Sequence, residues 1–407
     1  MNRIEAQKAY AKLLIEMGLQ LKEGQPLTIS APVEAQDFIP MVVDAAYDAG
    51  ASIVQVFWRH GKISRATLER AREEDLLDIP DYVLDQEFFY AKKGGASLHF
   101  TGDDPELLTG LDPQRLQRYN KARSEKLKPF MEMTMNDEVP WNVAAYPTLD
   151  WAKKVFPDAE NPVDELWDAI LYASRVTEDA VGAWREHLEN LDQRAQWLNK
   201  EAFSALHYTN SLGTDLTIGL PKGHIWAAAS STLPEGGEFV ANIPTEEVFT
   251  SPEWNRINGV VYSSMPLIYG GQPIDQFSLT FEDGKVVAAE AKVGNEILQE
   301  LLNTDDGSRY LGEVALVPYD SPISNLKMLF YNTLFDENAA CHLALGKAYP
   351  TTIEGGTELE ESQLREHGIN HSLVHEDFMV GTSDLNIDGI REDGSVVPVF
   401  RSGNWAQ

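Results

Sequence analysis

Residues 26–58 read PLTISAPVEAQDFIPMVVDAAYDAGASIVQVFW, and this stretch sets the fold class of the first third of the chain. Residues 26–29 have the pattern of a short strand. Residues 35–49 have helical periodicity closed by Gly50, and Pro40 fits such a helix only near its first turn, where a missing N–H costs nothing. Residues 52–58 (SIVQVFW) read as a buried strand. Outward from this core, helical patterns cover 4–17, 65–74, 82–92 and 113–127, and a third strand covers 97–101. Strands separated by helices predict an α/β domain over residues 1–150, with an open, mostly parallel sheet covered on both faces. The segment has no GxGxxG and no P-loop, so the sheet carries no nucleotide fingerprint.

Residues 151–202 are mainly helical and are expected to connect two domains. From residue 203 the character changes to short β-patterned runs such as LHYTNSLGTDLTIGL and GEFVANIPT. In FSLTFEDGKVVAAEAKV, Asp283 and Gly284 supply the positive-φ residues of a tight hairpin turn. A helix over 295–302, a strand over 312–318 and a helix ending before Pro350 follow. Residues 203–407 are therefore expected to form an α+β domain.

The 407 residues are 43% hydrophobic and 24% charged, a globular balance, with a formal net charge of −31. So acidic a surface repels phosphate backbones, which argues against nucleic acid as a partner. The single cysteine, Cys341, permits no intrachain disulfide and suits a reducing, cytoplasmic setting. The N-terminal run MNRIEAQKAYAKLLIEMGL is charged throughout, unlike a signal peptide. No stretch approaches the roughly 20 apolar residues that span a bilayer, so no membrane association is expected.

Four of nine histidines, His342, His367, His371 and His375, fall within an acid-rich stretch. Histidine with carboxylate is the usual ligand chemistry for zinc, cobalt or manganese in hydrolases. His375-Glu376 lacks the second histidine of a His-Glu-x-x-His zinc helix. As an extended strand, the segment puts His375 and Asp377 on one face and turns Glu376 away. His367 and His371 have helical spacing, but Gly368 and Asn370 weaken a helix there, and a surface pair is expected. In FDENAACHLALGKAYP, His342 and Tyr349 stand seven apart, two turns of the expected helix, with Glu337 upstream. Glu246 and Glu247 follow a strand in ANIPTEEVFTSP, in a turn-rich loop. Glu313 opens the otherwise apolar YLGEVALVP, where a carboxylate needs a partner, a metal or residual water. Taken singly, the His375–Asp377 pair and Glu313 are as compatible with exposed polar residues as with ligands, whereas a solvated acidic turn at Glu246–Glu247 and a packing role for Tyr349 are the commoner cases.

Together, NIPTEEVFTSP, YLGEVALVP, FYNTLFDENAACHLALGKAYP and INHSLVHEDFMVGTSDLNIDG resemble the M29 family of metallo-aminopeptidases, in order and in spacing. WAKKVFP at residues 151–157 adds to the likeness, which covers the whole chain. The resemblance implies a centre of two divalent ions (zinc, cobalt, manganese or magnesium) held by Glu247, Glu313, Glu337, His342, His375 and Asp377. Tyr349 matches a tyrosine that stands near the metals in the family. It also implies an N-terminal α/β domain, a C-terminal catalytic domain, a homodimer enclosing the active sites, and peptides with a free N-terminus as substrates. Which group acts as general base is left open, Glu246 being one candidate. A metal-dependent amidohydrolase or dipeptidase would use the same ligands, and a structural metal site would close its coordination sphere with protein ligands. A carboxylate-pair glycosidase would leave the histidines unexplained.

Overall fold

The computed structural model of the protein describes residues 1–269 and 272–407. The chain forms two compact units. Met1–His187, Ser230–Thr245 and Leu329–Leu334 make the first, and Leu188–Ala229, Glu246–Met328 and Phe335–Gln407 make the second. No helix among the described residues is long and apolar enough to cross a membrane.

In the first unit, β1 (Pro26–Pro32), β2 (Ile53–Arg59), β3 (Ala96–Thr101) and β4 (Trp141–Ala145) form one sheet in the order β2-β1-β3-β4, every pairing parallel. Alternate residues Leu27, Ile29, Ala31, Leu98, Phe100 and Ala144 are buried on one face. There Phe38 packs edge-on against Phe100 at 5.7 Å and against Trp167 at 5.3 Å. The α/β expectation holds, with one correction. Residues 52–58 were expected to be a buried strand, yet β2 pairs only with β1 and is an edge strand, with Ile53 39% and Trp58 47% exposed. The opposite face carries Thr28, Ser30, Arg59 and His99, polar positions where a doubly covered parallel sheet is normally apolar. The helix Asp81–Ala91 contacts β1 and β3 while burying only Ala91.

The second unit is built mainly from antiparallel strands. The expected hairpin is present. Gln272–Glu282 pairs with Lys285–Val293, and Asp283 and Gly284 turn the corner at φ 47° and 82°. The helix Asn295–Leu302 also forms where expected. Beside the larger sheet lies a four-stranded antiparallel sheet in the order His375–Met379, His342–Gly346, Leu311–Leu316, Val248–Thr250. Its two middle strands are buried at every position. This corrects the helix expected up to Pro350. Between the Leu311–Leu316 strand and Pro350 the described residues form only short helices, Pro322–Leu326 and Thr333–Asp336, and a 3-10 turn at Glu337–Ala339, and residues 342–346 are a central strand. A fully buried strand reads as an unbroken apolar run, which periodicity does not separate from a buried helix.

Candidate metal centre

The register of the small sheet collects the acids and histidines on one face. Ala344 lies opposite Glu313 on one side and Asp377 on the other. His342 is two residues from Ala344, and His375 is two from Asp377. Phe249 pairs with Ala315, and Glu247 stands two residues before Phe249. Residues two apart on a strand, and residues directly opposite across strands, share a face. Ala344 and Gly346 keep the middle of that face low. Gly346 has φ 103°, and a Cβ there would meet the Val374 carbonyl at 2.1 Å. The register shifts between Leu311 and Glu313, at Gly312, where a Cβ would lie 2.3 Å from the Lys347 carbonyl. Such a bulge re-aims the side chain that follows it.

Two groups of potential donors result, each with its atoms within 4.8 Å of one another: Glu247, Glu313 and His342, and Glu313, His375 and Asp377. Glu313 belongs to both. Its Oε1 lies 3.5 Å from His342 Nε2, and its Oε2 lies 3.6 Å from His375 Nε2. His342 Nε2 is also 3.1 Å from Glu247 Oε2, and His375 Nε2 is 3.5 Å from Asp377 Oδ1. Each ring is held from behind, His375 Nδ1 donating to the Lys347 carbonyl at 2.6 Å and His342 Nδ1 to the Ala340 carbonyl at 3.2 Å. A backbone carbonyl behind Nδ1 fixes the tautomer and leaves Nε2 as the metal-facing lone pair. Asp377 Oδ1 is buried with no hydrogen-bond partner. A buried carboxylate oxygen that faces an imidazole nitrogen without a hydrogen bond is suited to ligate a cation, and the residues present therefore fit divalent metal.

Electrostatics agree. Burial, and then the charges of Asp377 and Glu247, push Glu337 well above the usual carboxylate range. Burial also raises Glu313. At His375, burial acts downward but is outweighed by the Asp377 carboxylate and then Glu313, which lift it to about 10. The same contest, with Glu247 and Glu313 as partners, raises His342. Burial opposes ionisation of Asp377 too, but the facing His375 holds its carboxyl below the usual value. Metal binding displaces protons from such groups.

Glu337 lies outside both three-residue groups but acts on Glu247, Glu313, His342 and Asp377 through its charge. Its carboxylate accepts from Asn338 Nδ2 at 3.4 Å, and Asn338 Oδ1 accepts the Glu246 N–H at 2.8 Å. Asn338 is fully buried and has no distinguishing sequence pattern; sequence reading missed it. Glu246 is 2% exposed. Tyr349 reaches the site from a loop rather than from a helix face. Its ring packs 5.0 Å from His375 and 6.0 Å from Phe249, edge-on to both. Burial, and then the surrounding carboxylates, raise its phenol well above the usual value, so it keeps its proton at neutral pH. His367 and His371 lie elsewhere, His367 bonding the Gln363 carbonyl and His371 facing Glu361 at 3.4 Å.

Residues 4–405 match the family described as thermophilic metalloprotease (M29). The chain is 45% identical to Aminopeptidase AmpS of Bacillus subtilis (strain 168), over 98% of this chain and 97% of that one. It is 41% identical to Aminopeptidase T of Thermus aquaticus, over 97% of each. The solved structure of wild-type AmpT from Thermus thermophilus superposes with a TM-score of 0.93 at 38% identity, covering 100% of both chains.

Proposed function

The chain belongs to the M29 family of metalloproteases and is a hydrolase of the aminopeptidase type, and we propose from that premise that it works with two divalent ions sharing Glu313. The observation that carries the two-ion reading is the division of the Glu313 carboxylate, one oxygen facing His342 and the other facing His375. Glu247 and His342 would complete one site, and His375 and Asp377 the other. Glu337 would supply the fourth carboxylate, so that four negative charges and two neutral imidazoles leave a doubly loaded centre close to neutral. Bound there, zinc, cobalt, manganese or magnesium would activate a water near neutral pH and polarise the scissile carbonyl.

The chain's own groups do the rest. Tyr349, protonated and fixed between Phe249 and His375, donates a hydrogen bond to the oxyanion that develops on the substrate carbonyl. The acid-rich face favours the free α-amine of a peptide, which separates an N-terminal residue from the interior of a chain. Every residue of this mechanism lies within the proposed catalytic domain, residues 203–407. Under this reading the protein is a cytoplasmic homodimer acting on peptides, with neither nucleic acid nor membrane as partner.

Chelation tests it. Removing metal abolishes hydrolysis of an aminoacyl anilide, adding cobalt or zinc restores it, and circular dichroism stays unchanged, because a core of this size does not depend on an ion as a zinc finger does. Full activity after exhaustive chelation contradicts the proposal. Tyr349→Phe keeps the metals and lowers kcat by about 10²–10³, the usual cost of losing one oxyanion donor. An unchanged kcat would mean that Tyr349 only packs.

A further inference from the structure

Three loops deliver the ligand-bearing strands to the centre. One, at residues 305–310, leads into the Glu313 strand. A second, at 346–349, leaves the His342 strand towards Tyr349. A third, at 370–374, leads into the His375 strand. Strand pairing fixes the register of the strands, but it does not fix how these loops approach, and two polar side chains join them.

Asp305 lies in the first loop. Its Oδ1 accepts the N–H of Gly307 at 2.9 Å, the N–H of Ser308 at 2.8 Å and the hydroxyl of Ser372 at 2.8 Å. Its Oδ2 accepts the N–H of Leu373 at 2.5 Å. One carboxylate thus turns its own loop and grips the loop before His375. Asn370, 2% exposed, works on the other side. Its Nδ2 donates to the Gly307 carbonyl at 2.9 Å and to the Gly346 carbonyl at 2.5 Å, joining the first loop to the second. Its Oδ1 accepts from Arg365 Nη1, whose guanidinium lies 3.4 Å over the Trp254 ring. Its own carbonyl accepts the Ala348 N–H at 3.1 Å, next to Tyr349. The bracket closes on the centre through Lys347, whose N–H donates to the Val374 carbonyl at 2.7 Å and whose carbonyl accepts from His375 Nδ1. The loops touch so closely that a Cβ on Gly307 would lie 1.9 Å from the His371 carbonyl.

We propose that Asp305 and Asn370 are positioning residues of the metal centre, holding the Glu313, His342 and His375 loops at the spacing that lets Glu313 and His375 meet one ion. The inference rests on the two-ion reading given above and adds to it the groups that set its geometry. The Asp305 carboxylate bonds the loops before Glu313 and His375, and none of these bonds goes to Glu247 or to the His342 strand. Its loss therefore falls mainly on the ion held with His375 and Asp377. An amide replaces this charged acceptor poorly: with its oxygen at the Oδ1 position the three donors there face an uncharged acceptor, and its NH₂ opposes the Leu373 N–H.

The experiment is cobalt(II) titration of metal-free wild type and Asp305→Asn, followed by visible absorption and equilibrium dialysis, with kcat, KM and melting temperature measured alongside. Loss of a hydrogen bond made directly to a ligand typically weakens metal binding about 10–100-fold, and Asp305 acts one bond further out, so a loss of about tenfold is expected. The variant is expected to show that loss for one of its two cobalt ions, with kcat reduced, KM little changed, and activity recovered at high cobalt. Ser372→Ala removes one of the four bonds and shifts the same ion in the same direction by less; it decides the matter where Asp305→Asn does not fold. Two cobalt ions bound as tightly as in wild type overturn the inference. So does a lowered melting temperature with normal metal affinity in the folded protein, the signature of a merely structural bond. Wild type that takes up fewer than two cobalt ions instead overturns the two-ion reading itself.

Discussion

Glu313→Gln abolishes hydrolysis, with kcat/KM falling by at least about 10³. Glu313 is 5% exposed and is the one residue common to both donor groups. Its two oxygens face His342 and His375 respectively, so no other residue substitutes for either. Glutamine keeps the shape but removes the negative charge and turns one acceptor into a donor aimed at a cation or at an imidazole nitrogen. Metal assistance is worth several kcal/mol of transition-state stabilisation, and each 1.36 kcal/mol is tenfold in rate. Steady-state assay together with metal analysis of the variant checks this. Two retained ions and a normal rate rule out a bridging role for Glu313.

The second large effect concerns the substrate. A peptide with a free amino terminus is trimmed stepwise, while its N-acetylated counterpart is essentially uncleaved. The cluster holds four carboxylates, Glu247, Glu313, Glu337 and Asp377, around two imidazoles, and its complement on a substrate is a cation or a lone-pair donor. A free α-amine is either, depending on its protonation. Acetylation removes the positive charge and delocalises the lone pair, so the amide offers neither. The neutral amide is also left to desolvate beside buried carboxylates without a compensating interaction. Mass spectrometry of the paired peptides over time separates the outcomes. Internal fragments, or equal cleavage of both, refute exopeptidase action and favour an amidohydrolase of another specificity.

Much of the site was legible because polar residues stood out in apolar surroundings. Glu313 is the one charged residue in a strand, Leu311–Leu316, whose other residues are apolar, and His375 and Asp377 stand two apart in a strand that forms over His375–Met379. The hairpin at Asp283 and Gly284 was legible from turn chemistry. The strand His342–Gly346 was not. Alanine and leucine are strong helix formers, and here burial between two neighbouring strands overrides that preference. The helix read in its place brought His342 and Tyr349 together by the wrong geometry, although Tyr349 does lie beside His375. The alignment of Glu247 with Glu313 depends on pairing between strands more than 60 residues apart, which no local pattern encodes. Asn338, Asp305 and Asn370 look like ordinary loop residues in sequence, because their importance lies in which distant backbone groups they bond. The edge position of β2 was hidden for the same reason: strand order is a property of the whole sheet.

We infer that one face of the small sheet holds two ions through the shared carboxylate of Glu313. The most direct test is the metal content of wild-type protein dialysed after loading with zinc or cobalt, measured by elemental analysis against protein concentration. Two ions per chain are expected. One ion per chain in fully active protein would contradict it.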